Sequence, residues 1–363
     1  MDVNPLLEEM IQRGGSDLHL QPGDPPSVRV IGDLSLMGKE ALKPEDSISI
    51  FESITSPKGR KEMEAEGAAD FSYELPGKAR FRVNAFREMG KVALVFRLIP
   101  MQIPTFEELH LPEVNRTIAE NERGLVLVVG VTGSGKSTTL AAMLDYINAK
   151  FGRRIITIED PVEYVHKSKK GVISQRELGD DAMSFSSALR SVLRQDPDVI
   201  LVGELRDLET IRTAIRATET GHLVFSTLHT NDAVQTLDRM IGYYPAEERN
   251  LARQQVALNL RAVIAQRLVR RTDGKGRLPA QEVLVNNSLV QKMLLSDKVR
   301  DLYQVLKNGQ DGMQSFDMCL LDFVKKEKIT EEEGLRYAVN PAALKRMIAG
   351  GVSDSDRGGI LGF

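Results

Sequence analysis

The sequence predicts an α/β fold, a mainly parallel sheet covered by helices, preceded by a smaller α+β domain and followed by further helices. Three observations carry this prediction. From residue 114 onward, apolar runs of strand length alternate with segments of helical periodicity. The first of these runs leads into a glycine-rich phosphate-loop pattern that opens a helix. Before residue 99, short strands are mixed with amphipathic helices, which indicates a separate domain.

Residues 1–98 are predicted to form the smaller domain. Its helices are expected at 5–13, 45–54 and 57–66, and its strands at 16–20, 27–31, 69–75, 79–87 and 91–98. In the strand at 79–87, Arg80 and Arg82 alternate with apolar residues and therefore project from one face of a sheet. Arg97 lies near the end of the next strand. Solvated surface arginines are the simpler interpretation, whereas a row of arginines beside a nucleotide-binding domain also predicts contact with a phosphate held by a neighbouring subunit.

Residues 99–113 are predicted to form a semi-rigid linker between the domains. This stretch contains Pro100, Pro104 and Pro112. Proline fixes a backbone angle and excludes regular helix, so a stiff connector follows.

The second domain begins with a predicted strand at 125–129 that leads into a phosphate loop of the pattern G-x-x-x-x-G-K-[ST]. We expect phosphate to be bound by Gly130, Thr132, Gly133, Ser134, Gly135, Lys136, Ser137 and Thr138. Glycines let backbone N–H groups approach phosphate oxygens, and Lys136 brings positive charge to the outer phosphates. The hydroxyl of Ser137 is placed as a magnesium ligand. A glycine-rich turn without function is the alternative, but strand, loop and helix occur in the order that a nucleotide site requires.

The alternation of strands and helices then continues. Further strands are predicted at 154–158, 198–202, 222–227 and 279–285, with helices at 137–149, 184–195, 207–219, 232–241 and 246–268. The sheet domain is thus placed at 114–285, followed by a helical region at 286–349. The Gly- and Ser-rich tail, 350–363, is expected to be disordered.

Carboxylates follow two of the predicted strands, where a phosphate-loop enzyme needs acids for metal and water. Glu204 ends an apolar run as in a Walker B element, although Gly203 stands where an aspartate is usual. We expect Glu204 to act as the catalytic base or to orient water. Glu159, as a magnesium ligand, and Glu163 are the candidates that complete the site. Acids at strand ends are also often merely solvated, so that interpretation stays open.

Two histidines, His222 and His229, flank the strand predicted at 222–227. A hydrogen-bonded structural role is the simpler interpretation for each. Together they predict a sensor of the γ-phosphate that passes its state to the next helix. A shared metal ion is disfavoured because the two lie seven residues apart along a strand.

Composition limits the remaining function classes. The 363 residues are 42% hydrophobic and 27% charged, which is ordinary for a globular protein. A net charge of −3 gives no overall attraction to nucleic acid. The single cysteine, Cys319, excludes an internal disulfide, and its apolar neighbours predict a buried position. The N-terminus lacks a signal-peptide pattern, and no apolar run approaches the roughly 20 residues that span a bilayer. We therefore expect a cytoplasmic protein without direct membrane insertion.

Seven motifs resemble the secretion ATPase superfamily of type II secretion and type IV pili, and within it the pilus retraction ATPase family of PilT and PilU. They are GGSDLHL at 14–20, FRVNAFR at 81–87, VTGSGKSTT at 131–139, IEDPVEY at 158–164, the Walker B run at 193–210, the histidine box at 219–233 and DGMQSFD at 311–317. The resemblance covers nearly the whole chain. The phosphate loop alone would be unspecific, but the order of the other motifs is specific to this family.

The resemblance implies a RecA-like ATPase core and a PAS-like N-terminal domain, assembled as a homohexamer that uses ATP and Mg²⁺. It implies that Arg82 and Arg97 reach the nucleotide of the next subunit, with Arg80 and Arg87 less certain. Glu204 matches the Walker B glutamate and Glu163 the acidic-box glutamate, and the two histidines match the histidine box. The implied partners are an inner-membrane pilus platform protein and a paralogous ATPase, and the implied work is pilus retraction and twitching motility.

Two departures refine the resemblance. The single cysteine and the short N-terminal domain differ from the assembly and secretion ATPases, which carry a tetracysteine zinc module. Residues 286–302, NNSLVQKMLLSDKVRDL, lack the AIRNLIRE-like helix of typical retraction ATPases. An accessory PilU-like role or an assembly motor therefore stays open as an alternative. Outside the family, the competing classes are a RecA-like nucleic-acid motor and a scaffold that binds ATP only to assemble.

Overall fold

A computed structural model describes residues 1–30, 32–99 and 102–350. Within them the chain forms two compact units. The first comprises Met1–Gln102 together with Pro161–Val165, and the second comprises Ile103–Asp160 and the chain from His166 onward. Of the tail that was expected to be disordered, residues 351–363 lie outside the described residues, as do Pro100 and Met101 of the predicted linker.

The first unit is an antiparallel sheet with three helices. The helices are α1 (Asn4–Gln12), α2 (Pro44–Ile54) and α3 (Pro57–Glu66), and the strands are β1 (Asp17–Leu20), β2 (Ser27–Val30), β3 (Asp33–Leu36), β4 (Ala68–Leu75), β5 (Ala79–Glu88) and β6 (Lys91–Ile99). In the described residues the strand order is β3-β2-β1-β6-β5-β4. Alternate residues of β5, including Phe81 and Val83, are buried in this unit's core, so the intervening Arg82 faces outward.

The second unit contains the glycine-rich loop. Its helices are α4 (Val114–Ala119), α5 (Lys136–Lys150), α6 (Phe185–Val192), α7 (Leu208–Glu219), α8 (Ala233–Gly242), α9 (Arg249–Asn259), α10 (Ser288–Leu295), α11 (Leu302–Lys307), α12 (Phe316–Lys325), α13 (Glu331–Tyr337) and α14 (Pro341–Ile348). Its strands are β7 (Gly124–Val129), β8 (Arg154–Glu159), β9 (Val172–Glu177), β10 (Val199–Val202), β11 (Leu223–Leu228), β12 (Leu260–Arg270) and β13 (Arg277–Val285).

The sheet of the second unit is parallel except at one edge. In the described residues its order is β13-β12-β7-β11-β10-β8-β9, and only β13 runs antiparallel to its neighbour. Strand β7 is apolar throughout because both of its faces are covered. Val126 and Val128 pack in a core with α5, whereas Leu125 and Leu127 pack in a core with α6, α7 and α8. The predicted α/β class with a mainly parallel sheet is confirmed.

The helix predicted at 246–268 is confirmed over Arg249–Asn259 and is wrong from Leu260 onward. Helix α9 ends at Asn259, and the following residues form β12 (Leu260–Arg270), which pairs with β7 on one side and β13 on the other. The apolar residues of β12 are buried on both faces, so the strand has no alternation of polar and apolar residues. Such a run fits a buried helix and a buried strand equally well.

Other differences concern polar or short elements. Strand β3 was not predicted because all four of its residues are exposed at the edge of its sheet. Strand β9 is likewise an edge strand with mostly half-buried polar residues. The described part of the linker from Ile103 onward belongs to the second unit, where Phe106 and Leu111 are buried in the core beside α5. In the described ranges, no helix is long and apolar enough to cross a membrane.

Candidate active site

The phosphate loop connects the buried strand β7 to helix α5. Gly130, Gly133 and Gly135 have positive φ angles of 151°, 77° and 86°, which residues with a side chain rarely adopt. A Cβ on Gly130 would lie 2.5 Å from Ser134 Oγ and 2.6 Å from the carbonyl oxygen of Gln266. The loop is therefore tightly folded against β12, and its glycines are sterically required.

The interior of the loop has the chemistry of an anion site. The ammonium of Lys136 donates to the carbonyl oxygens of Gly130 (2.9 Å) and Val131 (3.1 Å), so its charge lies across the loop. Helix α5 begins without a side-chain cap, which leaves its first N–H groups for an anion. Among the described residues, the buried Ser134 Oγ has no hydrogen-bond partner. Thr132 and Gly133 are exposed at the loop tip, and Ser137 and Thr138 are half-buried in the first turn of α5. These features fit the phosphates of a nucleotide.

Glu204 lies at the same edge of the sheet as the phosphate loop. It follows β10, which is separated from β7 by one strand, β11. The hydroxyl of Thr227, near the end of β11, donates to the carbonyl oxygen of Gly203 at 2.7 Å. This bond fixes the turn that carries Glu204, whose side chain is 15% exposed.

Two cationic or basic side chains contact the Glu204 carboxylate. Arg206 donates to Glu204 Oε1, and its other terminal nitrogen lies 3.6 Å from Asp160 Oδ2. The hydrogen bond to Glu204 raises the pKa of Arg206 above its ordinary value. His229 Nε2 lies 3.6 Å from Glu204 Oε2. Arg206 and Asp160 were not predicted as site residues, although they lie within the Walker B run at 193–210 and the acidic motif at 158–164.

His229 is therefore at the predicted site, whereas His222 is not. Gly130 N–H donates to the carbonyl oxygen of Leu228 at 3.4 Å, which places the start of the phosphate loop beside the residue before His229. His222 lies at the other end of β11, where its Nδ1 is 2.8 Å from the carbonyl oxygen of Ala217. Because a strand rises about 3.3 Å per residue, seven residues place the two histidines about 23 Å apart. The structure therefore places the two histidines at opposite ends of β11, with His222 at the end away from the phosphate loop.

Glu159 makes hydrogen bonds that compete with metal binding. Its Oε1 accepts from Thr157 Oγ1 at 2.6 Å and from Gln175 Nε2 at 3.2 Å. Among the described residues there is no group of three or more His, Cys, Asp or Glu side chains that could hold a metal ion. The hydroxyl of Ser137, in the first turn of α5, is the group that would hold a magnesium ion together with a nucleotide.

The remaining predicted residues belong to the first unit. Arg82 and Arg97 are directly opposite each other on the paired strands β5 and β6, and therefore share a sheet face. Glu163 lies in Pro161–Val165, the segment that groups with this unit. The two arginines and Glu163 thus belong to the first unit, whereas the phosphate loop and Glu204 belong to the second.

Acidic neighbours orient the two arginines. Arg97 Nε donates to Asp17 Oδ1 at 2.7 Å, and Ser16 Oγ donates to Asp17 Oδ2 at 2.8 Å. Burial alone would raise the pKa of Asp17, but these hydrogen bonds outweigh it and lower the pKa below its ordinary value. Arg82 lies 3.7 Å from Asp70 and is 47% exposed. Both guanidinium groups are thus oriented yet accessible.

Comparisons with known proteins agree with this geometry. The family described as type II/IV secretion system protein matches residues 1–305. The type IV pilus retraction ATPase PilT of Pseudomonas aeruginosa is 47% identical over 94% of this chain and 99% of its own. The type IV pilus ATPase PilU of the same organism is 41% identical over 98% and 94%, respectively. A crystal structure of the pilus retraction motor PilT with bound ADP superimposes with a TM-score of 0.89, at 40% identity, over 96% of this chain and 100% of that one.

Proposed function

The chain belongs to the type II/IV secretion system protein family and is an ATPase of the pilus retraction type, and we propose that it is the hexameric motor that retracts a type IV pilus. One observation carries the catalytic part of this proposal. The phosphate loop, Glu204 and His229 lie at one edge of one sheet, in a chain that matches PilT over almost its full length.

Each residue of this edge has a task in hydrolysis. Lys136 and the N–H groups at the start of α5 would bind the phosphates, and the Ser137 hydroxyl would hold the magnesium ion. When bound, ATP would supply the phosphoanhydride bond that is cleaved, and Mg²⁺ would neutralise part of the charge of the phosphates. Glu204 orients the attacking water, and Arg206 and His229 hold its carboxylate in place. Glu159 acts on the site through its hydrogen bonds with Thr157 and Gln175 rather than as the main metal ligand.

The first unit completes the site of a neighbouring subunit in a homohexamer. Arg82 and Arg97 form a pair of exposed cations on one sheet face, which suits contact with the nucleotide phosphates in trans. Glu163 belongs to the same unit as these arginines. His222, at the far end of β11, passes on conformational change rather than touching phosphate.

The remaining proposed partners are a membrane protein and a second ATPase. The motor acts in the cytoplasm against an inner-membrane pilus platform protein, with a paralogous ATPase as a second partner. PilT and PilU, both present in Pseudomonas aeruginosa, are each similar to this chain. The 286–302 segment, which lacks the AIRNLIRE-like motif, favours an accessory PilU-like role as the second candidate.

Two variants test the enzymatic part. Lys136→Ala removes the charge across the loop and is expected to abolish both ATP binding and phosphate release. Glu204→Gln keeps the loop and is expected to bind ATP while turnover falls by at least about a hundredfold. Lys150→Ala is the control, because this exposed lysine lies at the far end of the same helix and pairs with Glu120 and Tyr146. Substantial turnover in Glu204→Gln would contradict its role.

Deletion and complementation test the biological part. Deletion of the gene is expected to leave surplus surface pili without twitching, because retraction stops while assembly continues. Loss of all pili would indicate an assembly motor instead. Twitching that is restored in a host without its own retraction ATPase supports the motor, whereas restoration only together with a second ATPase supports the accessory role.

A further inference from the structure

Behind the phosphate loop lies a buried amide side chain that the hydrolysis scheme does not use. Gln266 is on β12 and is only 2% exposed. Its Nε2 donates to the carbonyl oxygen of Ser134, within the loop, at 2.7 Å. A buried polar side chain costs free energy unless it is hydrogen-bonded, so an amide at this position needs specific partners.

The other end of the amide is held by two donors. Gln266 Oε1 accepts from Thr139 Oγ1 at 2.7 Å and from Gln281 Nε2 at 2.8 Å. Thr139 is in α5 and Gln281 is on the neighbouring strand β13, and both are buried. With its oxygen fixed from two directions, the amide can point its nitrogen only toward Ser134.

The loop is also shaped around this residue sterically. A Cβ on Gly135 would lie 2.7 Å from Gln266 Nε2, and one on Gly130 would lie 2.6 Å from the Gln266 carbonyl oxygen. Gln266 therefore contacts the loop near its first and last glycines and bonds a carbonyl between them. The loop carbonyl that accepts this bond is turned toward the protein interior, away from the anion site.

The network continues beyond the loop. Gln281 Oε1 accepts from the buried Asn115 Nδ2 at 2.8 Å. The carbonyl oxygen of Gln281 accepts from Gln314 Nε2 at 2.9 Å, and Gln314 is part of the DGMQSFD motif. Backbone bonds between Gln314 and Val283 add a bridge to the same strand. The phosphate loop is thereby connected through two strands to the start of α12.

We propose that Gln266 is a positioning residue for nucleotide binding, which holds the phosphate loop in its anion-binding shape before a nucleotide arrives. This inference rests on the proposed ATPase function. Without the Gln266 bond, binding must first order the loop, so affinity falls. Once nucleotide saturates the site the loop is ordered by the ligand itself, so turnover at saturation changes much less.

The test replaces Gln266 with methionine, which has a similar shape but no amide. In the full-length chain, Gln266→Met is expected to raise the Kd of a fluorescent ADP analogue about tenfold. The KM for ATP is expected to rise in parallel, while kcat changes by less than about threefold. The matched control is Asn148→Leu. Asn148 is equally buried on α5 and its amide makes two hydrogen bonds, to Lys167 and Lys169, distant from the loop in sequence. This variant is expected to lose thermal stability but to keep its Kd.

A second variant covers the case in which Gln266→Met does not fold. The double variant Thr139→Val, Gln281→Met keeps Gln266 but removes both donors that orient it, and its Kd for the ADP analogue is expected to rise by about threefold or more. Unchanged Kd values in a folded Gln266→Met or in the double variant would overturn the inference, as would an equal rise in Asn148→Leu. Failure of the wild-type chain to bind the analogue would instead contradict the proposed ATPase function.

Discussion

The carboxylate of Glu204 accepts a hydrogen bond from Arg206 on one oxygen, and His229 lies 3.6 Å from the other. Water can be aligned for attack only if the acid that orients it has a defined position. Arg206 is 59% exposed and its second contact is Asp160. Solvent therefore screens the guanidinium side of this ion pair and reduces its contribution to folding. Its effect therefore belongs to the orientation of Glu204 rather than to stability.

Replacement of Arg206 tests whether this residue orients Glu204 rather than stabilises the fold. Arg206→Gln is expected to lower kcat about tenfold or more, because the Glu204 carboxylate loses one of its two contacts. The melting temperature is expected to stay close to that of the wild type. Arg190→Gln is the control, since the Arg190 side chain is 52% exposed, close to that of Arg206, and pairs with Glu209 at a distance from the loop in sequence. Equal loss of turnover in both variants would contradict an orienting role.

At the residue scale, the sequence predicts the site only where a motif fixes both residue type and spacing. The phosphate loop and Glu204 meet this condition, and the structure places them at one sheet edge. Gln266 does not, because its contact with Ser134 depends on β12 lying beside β7. That segment was predicted to be helical, and a helix would not place Gln266 beside the loop.

At the scale of elements, buried acidic side chains connect the start of helix α8 to strand β13. Glu282 of β13 is 3% exposed and its Oε1 accepts from the Ala233 N–H, the first of α8, at 2.9 Å. Asp232 caps the same helix through the Gln235 N–H. Burial, and secondarily the charge of Asp232, raises the pKa of Glu282 to about 7, against a backbone bond and Arg267 that lower it.

This junction makes stability depend on pH. A glutamate whose pKa is raised from 4.5 to about 7 on folding binds its proton more tightly in the folded state than in the unfolded state. Its stabilising contribution is complete below pH 4.5 and is lost as the pH rises through about 7, a change on the order of 3 kcal/mol. Glu282→Gln cannot titrate, so its melting temperature relative to wild type is expected to increase between pH 5 and pH 8. A difference that stays constant over this range would show that Glu282 is not the group responsible.

Elements with one buried and one exposed face were predictable from the sequence, and elements without such a difference between faces were not. Strand β5 alternates buried and outward residues, and α8 has one buried face, so each shows its period in the sequence. Strand β12 is buried on both faces and β3 is exposed throughout, so neither does. They are identified by their pairing instead, β12 with the distant strand β7 and β3 with the preceding strand β2.

At the scale of the whole molecule, the proposed site is divided between two units. The phosphate loop, Glu204 and His229 are in the second unit, and Arg82 with Arg97 are in the first. With such a division, a defect in one unit of a subunit can be complemented by the intact unit of a neighbouring subunit. A subunit without Arg82 still offers an intact phosphate loop, and a subunit without the Glu204 acid still offers an intact Arg82.

Mixing the two kinds of subunit tests whether Arg82 acts in trans. Arg82→Ala and Glu204→Gln are each expected to be nearly inactive alone. Rings assembled from both are expected to regain part of the activity, because an Arg82→Ala subunit beside a Glu204→Gln neighbour has a complete site between them. Arg82 is preferred to Arg97 here, since Arg97→Ala would also deprive the buried Asp17 of its partner. Arg13→Ala, which removes an exposed arginine paired with Glu9 in α1, controls for loss of charge and should stay active alone. If each site drew Arg82 from its own chain, every site in the mixture would carry one of the two defects, and activity would not return.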